Sequence, residues 1–145
     1  MKIVPKIRWN GDKIKINVAH ATEESIFELG VFAAKTAKNI VRKKYGYLAA
    51  SINVQSNARG TELESPSKYA RKAEPKGYRV SGFTTLDKPR SNRTVLVGTN
   101  VSYALYIEFG THGRPVLPYL RPSLDFARSM SKYIVEEKFK EEGII

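Results

Sequence analysis

At 145 residues the chain is long enough for one domain with a real core, and no window approaches the roughly twenty apolar residues that cross a bilayer. It contains no cysteine, which excludes disulfides and thiolate metal sites. A net charge of +11 predicts attraction to polyanions and leaves the fold open. Residues 125–145 hold four basic and five acidic residues, so the excess sits on residues 1–124, where 21 basic residues face nine acidic ones. Two readings fit that excess: a solvated, solubilising face, or a surface turned toward nucleic acid. The N-terminus, MKIVPKIRWNGDK, has no signal-peptide pattern, which implies a protein made and used in a cytoplasm or assembled there into a particle.

In chain order, residues 1–18 read as a β-hairpin. Ile3, Ile7 and Trp9 precede Asn10-Gly11, a strong hairpin turn signal, and Ile14, Ile16 and Val18 alternate after it. Lys6, Arg8, Lys13 and Lys15 then line the opposite face, as on an edge blunted by lysine. A long helix is predicted over residues 22–45. Thr22 supplies a cap, Glu23 and Glu24 suit the positive end of the dipole, and Arg42, Lys43 and Lys44 close the last turn before Gly46. Ile26, Leu29, Ala33, Ala37, Ile40 and Val41 form its apolar stripe.

Ile52 and Val54 with Asn53 between them predict a strand. Residues 57–76 read as an extended loop, Tyr78–Leu86 as a strand, and Asp87–Arg93 as a turn. Within this region Lys68, Arg71, Lys72, Lys76 and Arg79, interleaved with Tyr69 and Tyr78, are the best candidates for facing DNA; a solvated flexible loop explains them equally.

Thr94–Leu124 carries three charged residues, Glu108, Arg114 and Arg121, in a chain that is 27% charged, so it is core material. Thr94–Val97 reads as a strand ending at Gly98. Asn100 or Ser102 caps a short helix bearing Tyr103, Tyr106 and Ile107, and Gly110 ends it at positive φ. Gly113, Pro115 and Pro118 impose an extended arm, and Pro122 fits the first turn of a helix over residues 122–140. Leu124, Ala127, Met130 or Ser131, Ile134 and Lys138 or Phe139 trace its buried side, and Gly143 marks its end. These elements predict an α+β fold: a small antiparallel sheet, made of the N-terminal hairpin and central strands, packed against a long first helix and a C-terminal helix.

Tyr103-Ala104, Glu108-Phe109-Gly110-Thr111, Pro118-Tyr119-Leu120-Arg121-Pro122 and Leu124-Asp125, in this order and spacing, resemble a tail-component family of long-tailed bacteriophages. Its members are described as tail-completion, neck or head–tail joining proteins. Gly46, Leu48, Ser51 and Ile52 resemble the family's second block, while Tyr45 and Ala49 depart from its usual small hydroxyl and basic residues. The resemblance implies a non-enzymatic virion protein, assembled in the host cytoplasm. It would join copies of itself in a ring, contact other neck or tail proteins, and touch DNA transiently and without sequence preference. Tyr103, Ala104, Glu108, Phe109, Gly110, Thr111, Pro118, Leu120, Arg121 and Pro122 are its motif and assembly residues. The alternative is a stand-alone basic nucleic-acid-binding domain.

Catalytic chemistry is sparse. His20 and His112 lie in unrelated settings, and no metal-ligand spacing or phosphate-binding glycine pattern occurs. No cofactor, metal, membrane or small-molecule substrate is therefore expected. His112 beside Glu108 lacks an orienting partner and a nucleophile. Glu108, in a charge-poor stretch, needs Arg114, Arg121 or backbone N–H groups as partners, because a lone buried carboxylate is very costly.

Overall fold

The computed structural model describes residues 10–41, 46–57, 60–62, 89–99 and 101–145. The fold is α+β: a small antiparallel sheet lies against a long first helix, and a C-terminal helix runs along that helix.

Helix α1 spans Gly11–Ile40, roughly 45 Å at 1.5 Å per residue. The hairpin expected over residues 1–18 is overturned for its second half, because Gly11–Val18 is helical; residues 1–9 lie outside the described residues. The Asn10 carbonyl accepts the first helical bond from Ile14 N–H, and Asp12 sits in the first turn, where the dipole favours an acid. Once a helix is nucleated downstream, each added residue gains a hydrogen bond, and that outweighs three alternating β-branched residues. Ile14 and Ile16 consequently stand exposed. Thr22 does not cap. Its hydroxyl donates back to Val18 O at 2.7 Å, and Ser25 donates to Ala21 O at 2.6 Å, so both serve the helix interior. The helix stops at Ile40, short of the expected residue 45, with Val41 already extended; Gly46, at φ 73°, starts the next element instead.

The expected stripe of α1 holds at Ala33, Ala37 and Val41, and the buried face is rotated away from it at the other three positions. Ala21, Ser25, Phe27, Gly30, Ala33, Ala34 and Ala37 are buried, whereas Ile26 and Leu29 are half-buried and Ile40 is exposed. Small residues on this face let the sheet come close. At Gly30 a Cβ atom would lie 2.5 Å from Val95 Cγ1 and 3.1 Å from Val54 Cγ1, so the glycine is set by contact with two strands.

A short helix, α2 (Tyr47–Ser51), leads into β1 (Asn53–Ser56), the central strand of the sheet. β2 (Gly60–Glu62) pairs on one side with Val54 opposite Glu62, and β3 (Val95–Gly98) on the other with Val54 opposite Val97. β2 falls inside the stretch expected as loop, and the Tyr78–Leu86 strand lies outside the described residues. The sheet is antiparallel as expected, and among the described residues it is built from central strands alone.

Helix α3 (Ala104–Phe109) follows, and Gly110 ends it at φ 75°, as its position predicts. Ser102 makes no side-chain cap; instead the Thr99 hydroxyl accepts from Val101 N–H at 3.2 Å and shares a 2.6 Å hydrogen bond with Ser51, tying β3 to α2. Helix α4 (Leu120–Glu141) begins two residues before the expected start and carries Pro122 in its first turn. Its buried residues are Ser123, Ala127 and Ile134, while Leu124, expected inside, is 48% exposed. α4 runs antiparallel to α1: Phe126 stacks on Phe32 at 5.6 Å, and Glu142 meets His20. Gly143, at φ 65°, closes the helix with Ile144 N–H donating to Phe139 O at 2.9 Å.

Gly30→Ile should destabilise the protein by about 1–3 kcal/mol, because overpacking against the stiff Val95 side chain offsets any relief from removing a helical glycine. Chemical denaturation checks this, and an unchanged midpoint would contradict the contact.

Candidate functional site

Glu108 sits on the inner side of α3, 4% exposed, and faces the start of α4. The first N–H groups of a helix have no intrahelical partner, and Tyr119 at the N-cap of α4 makes no side-chain cap. Glu108 fills that role from eleven to thirteen residues upstream. Tyr119 N–H donates to Oε2 at 2.8 Å and Leu120 N–H to the same oxygen at 2.9 Å; Arg121 N–H donates to Oε1 at 3.1 Å. The Arg121 side chain adds Nε to Oε1 at 3.2 Å and an Nη2 bond to the Glu108 carbonyl at 3.3 Å. The carboxylate is thus ion-paired, hydrogen-bonded and placed at the positive end of a helix.

Burial by itself pushes the Glu108 carboxyl up. The three backbone N–H donors and the Arg121 guanidinium outweigh it and hold the group below the ordinary carboxylate range. Tyr119 is driven the other way, to about 12, first by burial and then by the negative charge of Glu108 and by Tyr103. The residue is 1% exposed in the core cluster that includes Ile52, and among the described residues its buried hydroxyl has no hydrogen-bond partner.

Between α3 and α4 the chain forms an arm anchored at both ends. Gly110 turns at positive φ, and its missing Cβ would lie 2.9 Å from Val116 Cγ2. Thr111 bridges to Arg114, whose N–H donates to Thr111 O at 2.9 Å across Gly113 at φ 83°. Leu117 N–H returns to Ile107 O at 3.1 Å. The arm exposes Thr111, His112 and Arg114 along its first half and the apolar Val116 and Leu117 next in sequence to the anchored Pro118–Arg121. The outer side of α3 exposes Leu105, Tyr106 and Phe109, and the Arg121 guanidinium lies 5.0 Å from the centre of the Phe109 ring.

The motif residues therefore fall into three groups. Glu108, Phe109, Leu120 and Arg121 meet at the α3–α4 junction, with Gly110 and Pro118 at the roots of the arm and Pro122 in the first turn that Glu108 caps. Ala104 is buried in the core with Tyr103 packed against it, and Thr111 is exposed on the arm. Of the partners anticipated for Glu108, Arg121 and backbone N–H groups are found, while Arg114 stands exposed on the arm. Lys68, Arg71, Lys72, Lys76 and Arg79 lie outside the described residues. Taking Thr94–Leu124 as core material holds for Tyr119 and fails for Leu105, Val116 and Leu117, which are exposed. Tyr119 stands between Pro118 and the helix it caps, and only a tertiary contact reveals which way its ring points.

His112 lies exposed on the arm, and both oxygens of Glu108 are occupied by donors from α4. Among the described residues no group of three or more histidine or acidic side chains is placed to hold a metal, and no helix is long and apolar enough to cross a membrane. Comparison with known protein families, curated proteins and solved structures gives no match.

Glu108→Gln should cost about 2–3 kcal/mol at neutral pH, since the amide N–H₂ faces donors and leaves at least one unpaired. Urea unfolding measures it. Because the folded value lies below the ordinary 4.5, the carboxylate's contribution is full above that range and is lost as pH falls through the folded value. Wild-type stability should therefore drop on acidification below about 4.5 more steeply than that of Glu108→Gln. Parallel pH profiles of the two would contradict the assignment.

Proposed function

We propose that this protein is a structural component of a tailed phage or prophage virion, a tail-completion or neck protein at the head–tail junction. It assembles with its own copies into a ring through which DNA passes, contacts neighbouring neck or tail proteins, and is put together in the host cytoplasm. The observation that carries this reading is the surface held out by the Glu108–Arg121 junction. Leu105, Tyr106, Phe109, Val116 and Leu117 are each 43–61% exposed on one short helix and the arm beside it. Large apolar side chains gathered in this way mark an interaction surface. They share it with an arginine fixed over an aromatic ring, and arginine and aromatic residues dominate the energetics of protein contacts. The motif order from Tyr103 to Asp125 supports the same assignment.

A stand-alone basic nucleic-acid-binding domain is the second reading, favoured by the net charge of +11. The two differ in what the charge is for. In a ring around passing DNA it neutralises phosphates without holding bases, so binding to free duplex is weak, indifferent to sequence and steeply salt-dependent. Titrating random and selected duplexes at low and physiological salt, beside addition of the protein to tails that lack it, separates them. The virion reading predicts weak, unselective binding and incorporation into tails. Nanomolar, sequence-selective binding at physiological salt with no incorporation would overturn it.

A further inference from the structure

The apolar stripes of α1 and α4 extend further than the fold covers. Ile26 and Leu29 of α1 are half-buried, and Leu124 of α4 is 48% exposed. They converge: these three, with Val95 and Val97 of β3, line one open groove of about 300 Å³ between the two helices and the sheet. Val95 and Val97 lie two residues apart, so they turn the same face of the strand toward it. Arg128 is the groove's single charged lining residue; it is exposed and makes no ion pair among the described residues. Glu28 and Asp125, the acids nearest in sequence on the two helices, do not line it.

β3 borders the same groove and is an edge strand. Its register places β1 on one side, with Val97 opposite Val54, and among the described residues no strand pairs with the other side. Such an edge leaves alternate N–H and C=O groups unpaired, and an extended polypeptide satisfies them by adding a strand, whose every second side chain then turns toward the groove. The charge around this edge has one sign. Between residues 89 and 107 the chain carries Arg90 and Arg93, both exposed, and no acid, while Arg128 stands on the wall formed by α4. The chain's own remaining segments have the wrong charge for this place. Residues 1–9 carry three basic residues and no acid, and residues 63–88 carry six basic and three acidic. Nucleic acid has the right charge but no strand to pair with β3. We infer that the β3 edge and its groove take an extended acidic segment of another protein. That segment adds a strand to the sheet, seats apolar side chains in the groove and sets a carboxylate against Arg128. The surface shares no residue with α3 or the arm, and the inference stands apart from the virion reading.

The probes are short capped peptides: one alternating glutamate with valine, one alternating lysine with valine, and the first with a central proline. Each is titrated into the full chain, and amide NMR spectra read where it binds and how fast the β3 amides exchange with solvent. The glutamate peptide should shift the signals of Val95–Gly98, Leu29 and Ala127, and slow exchange at the outward amides of β3. The lysine peptide should bind roughly tenfold or more weakly. Proline should weaken the acidic peptide by a similar factor, because it removes a strand N–H. Arg128→Glu, at an exposed position and checked for folding by circular dichroism, should cost the acidic peptide roughly tenfold and favour the lysine one. Equal binding of the two charges, shifts confined to other surfaces, or no binding at millimolar peptide would overturn the inference. So would β3 amides already protected in the free chain. Protection independent of protein concentration would mean that a segment of the same chain occupies the edge, and protection that grows with concentration would mean a second copy.

Discussion

A buried carboxylate at the start of a helix is the constraint on which the functional half of this molecule depends. α4 begins where no local side chain caps it, so its first three N–H groups must find an acceptor elsewhere. Glu108 supplies it from α3, and the two helices are thereby locked at a fixed angle with the arm spanning between them. The same carboxylate needs compensation for its burial, and the Arg121 side chain provides it from the helix it caps. Arg121 is then tied in place and covers the Phe109 ring. One satisfied charge thus determines where the arm leaves, where it returns and which side chains it holds outward.

The other half is governed by size. Apart from Phe27, the buried face of α1 over Ala21–Ala37 is glycine, serine and alanine, which brings β3 and β1 within contact at Gly30. A helix with so little side-chain bulk on most of its inner face contributes area by closeness, and beside Phe27 the large core residues come from elsewhere, above all Tyr119 and Ile52. Tyr119 joins the two halves: its backbone N–H belongs to the Glu108 cap, and its ring belongs to the core.

What was legible in the sequence follows from how local each signal is. β3, α3 and the turns at Gly110 and Gly143 were readable because a β-branched run, a helical spacing and glycines at positive φ are decided within a few residues. The need of Glu108 for partners was readable from its isolation among apolar residues, and Arg121 was among the candidates; that the main donors would be the N–H groups of α4 depends on how two helices meet. The segment from Gly11 to Val18 misled because Asn10-Gly11 and Ile14, Ile16 and Val18 spell a hairpin locally, while the helix beginning at Gly11 takes them as its first turns. Thr22 misled for a related reason. A threonine hydroxyl can cap a helix or bond back to the preceding turn, and only the chain upstream decides. The exposed Leu124 shows the same limit: helical periodicity identifies a stripe, and the rotation of the helix against α1 decides which edge of that stripe is covered.

The most direct test of the central claim is native-state amide hydrogen exchange at Tyr119, Leu120 and Arg121. First-turn amides of a helix ordinarily exchange fast, since nothing within the helix protects them. With Glu108 as their acceptor, these three should be protected to the level of core amides such as that of Ala37, and the protection should vanish in Glu108→Gln. Exchange as fast as at Asp12 and Lys13, in the first turn of α1, would contradict the account.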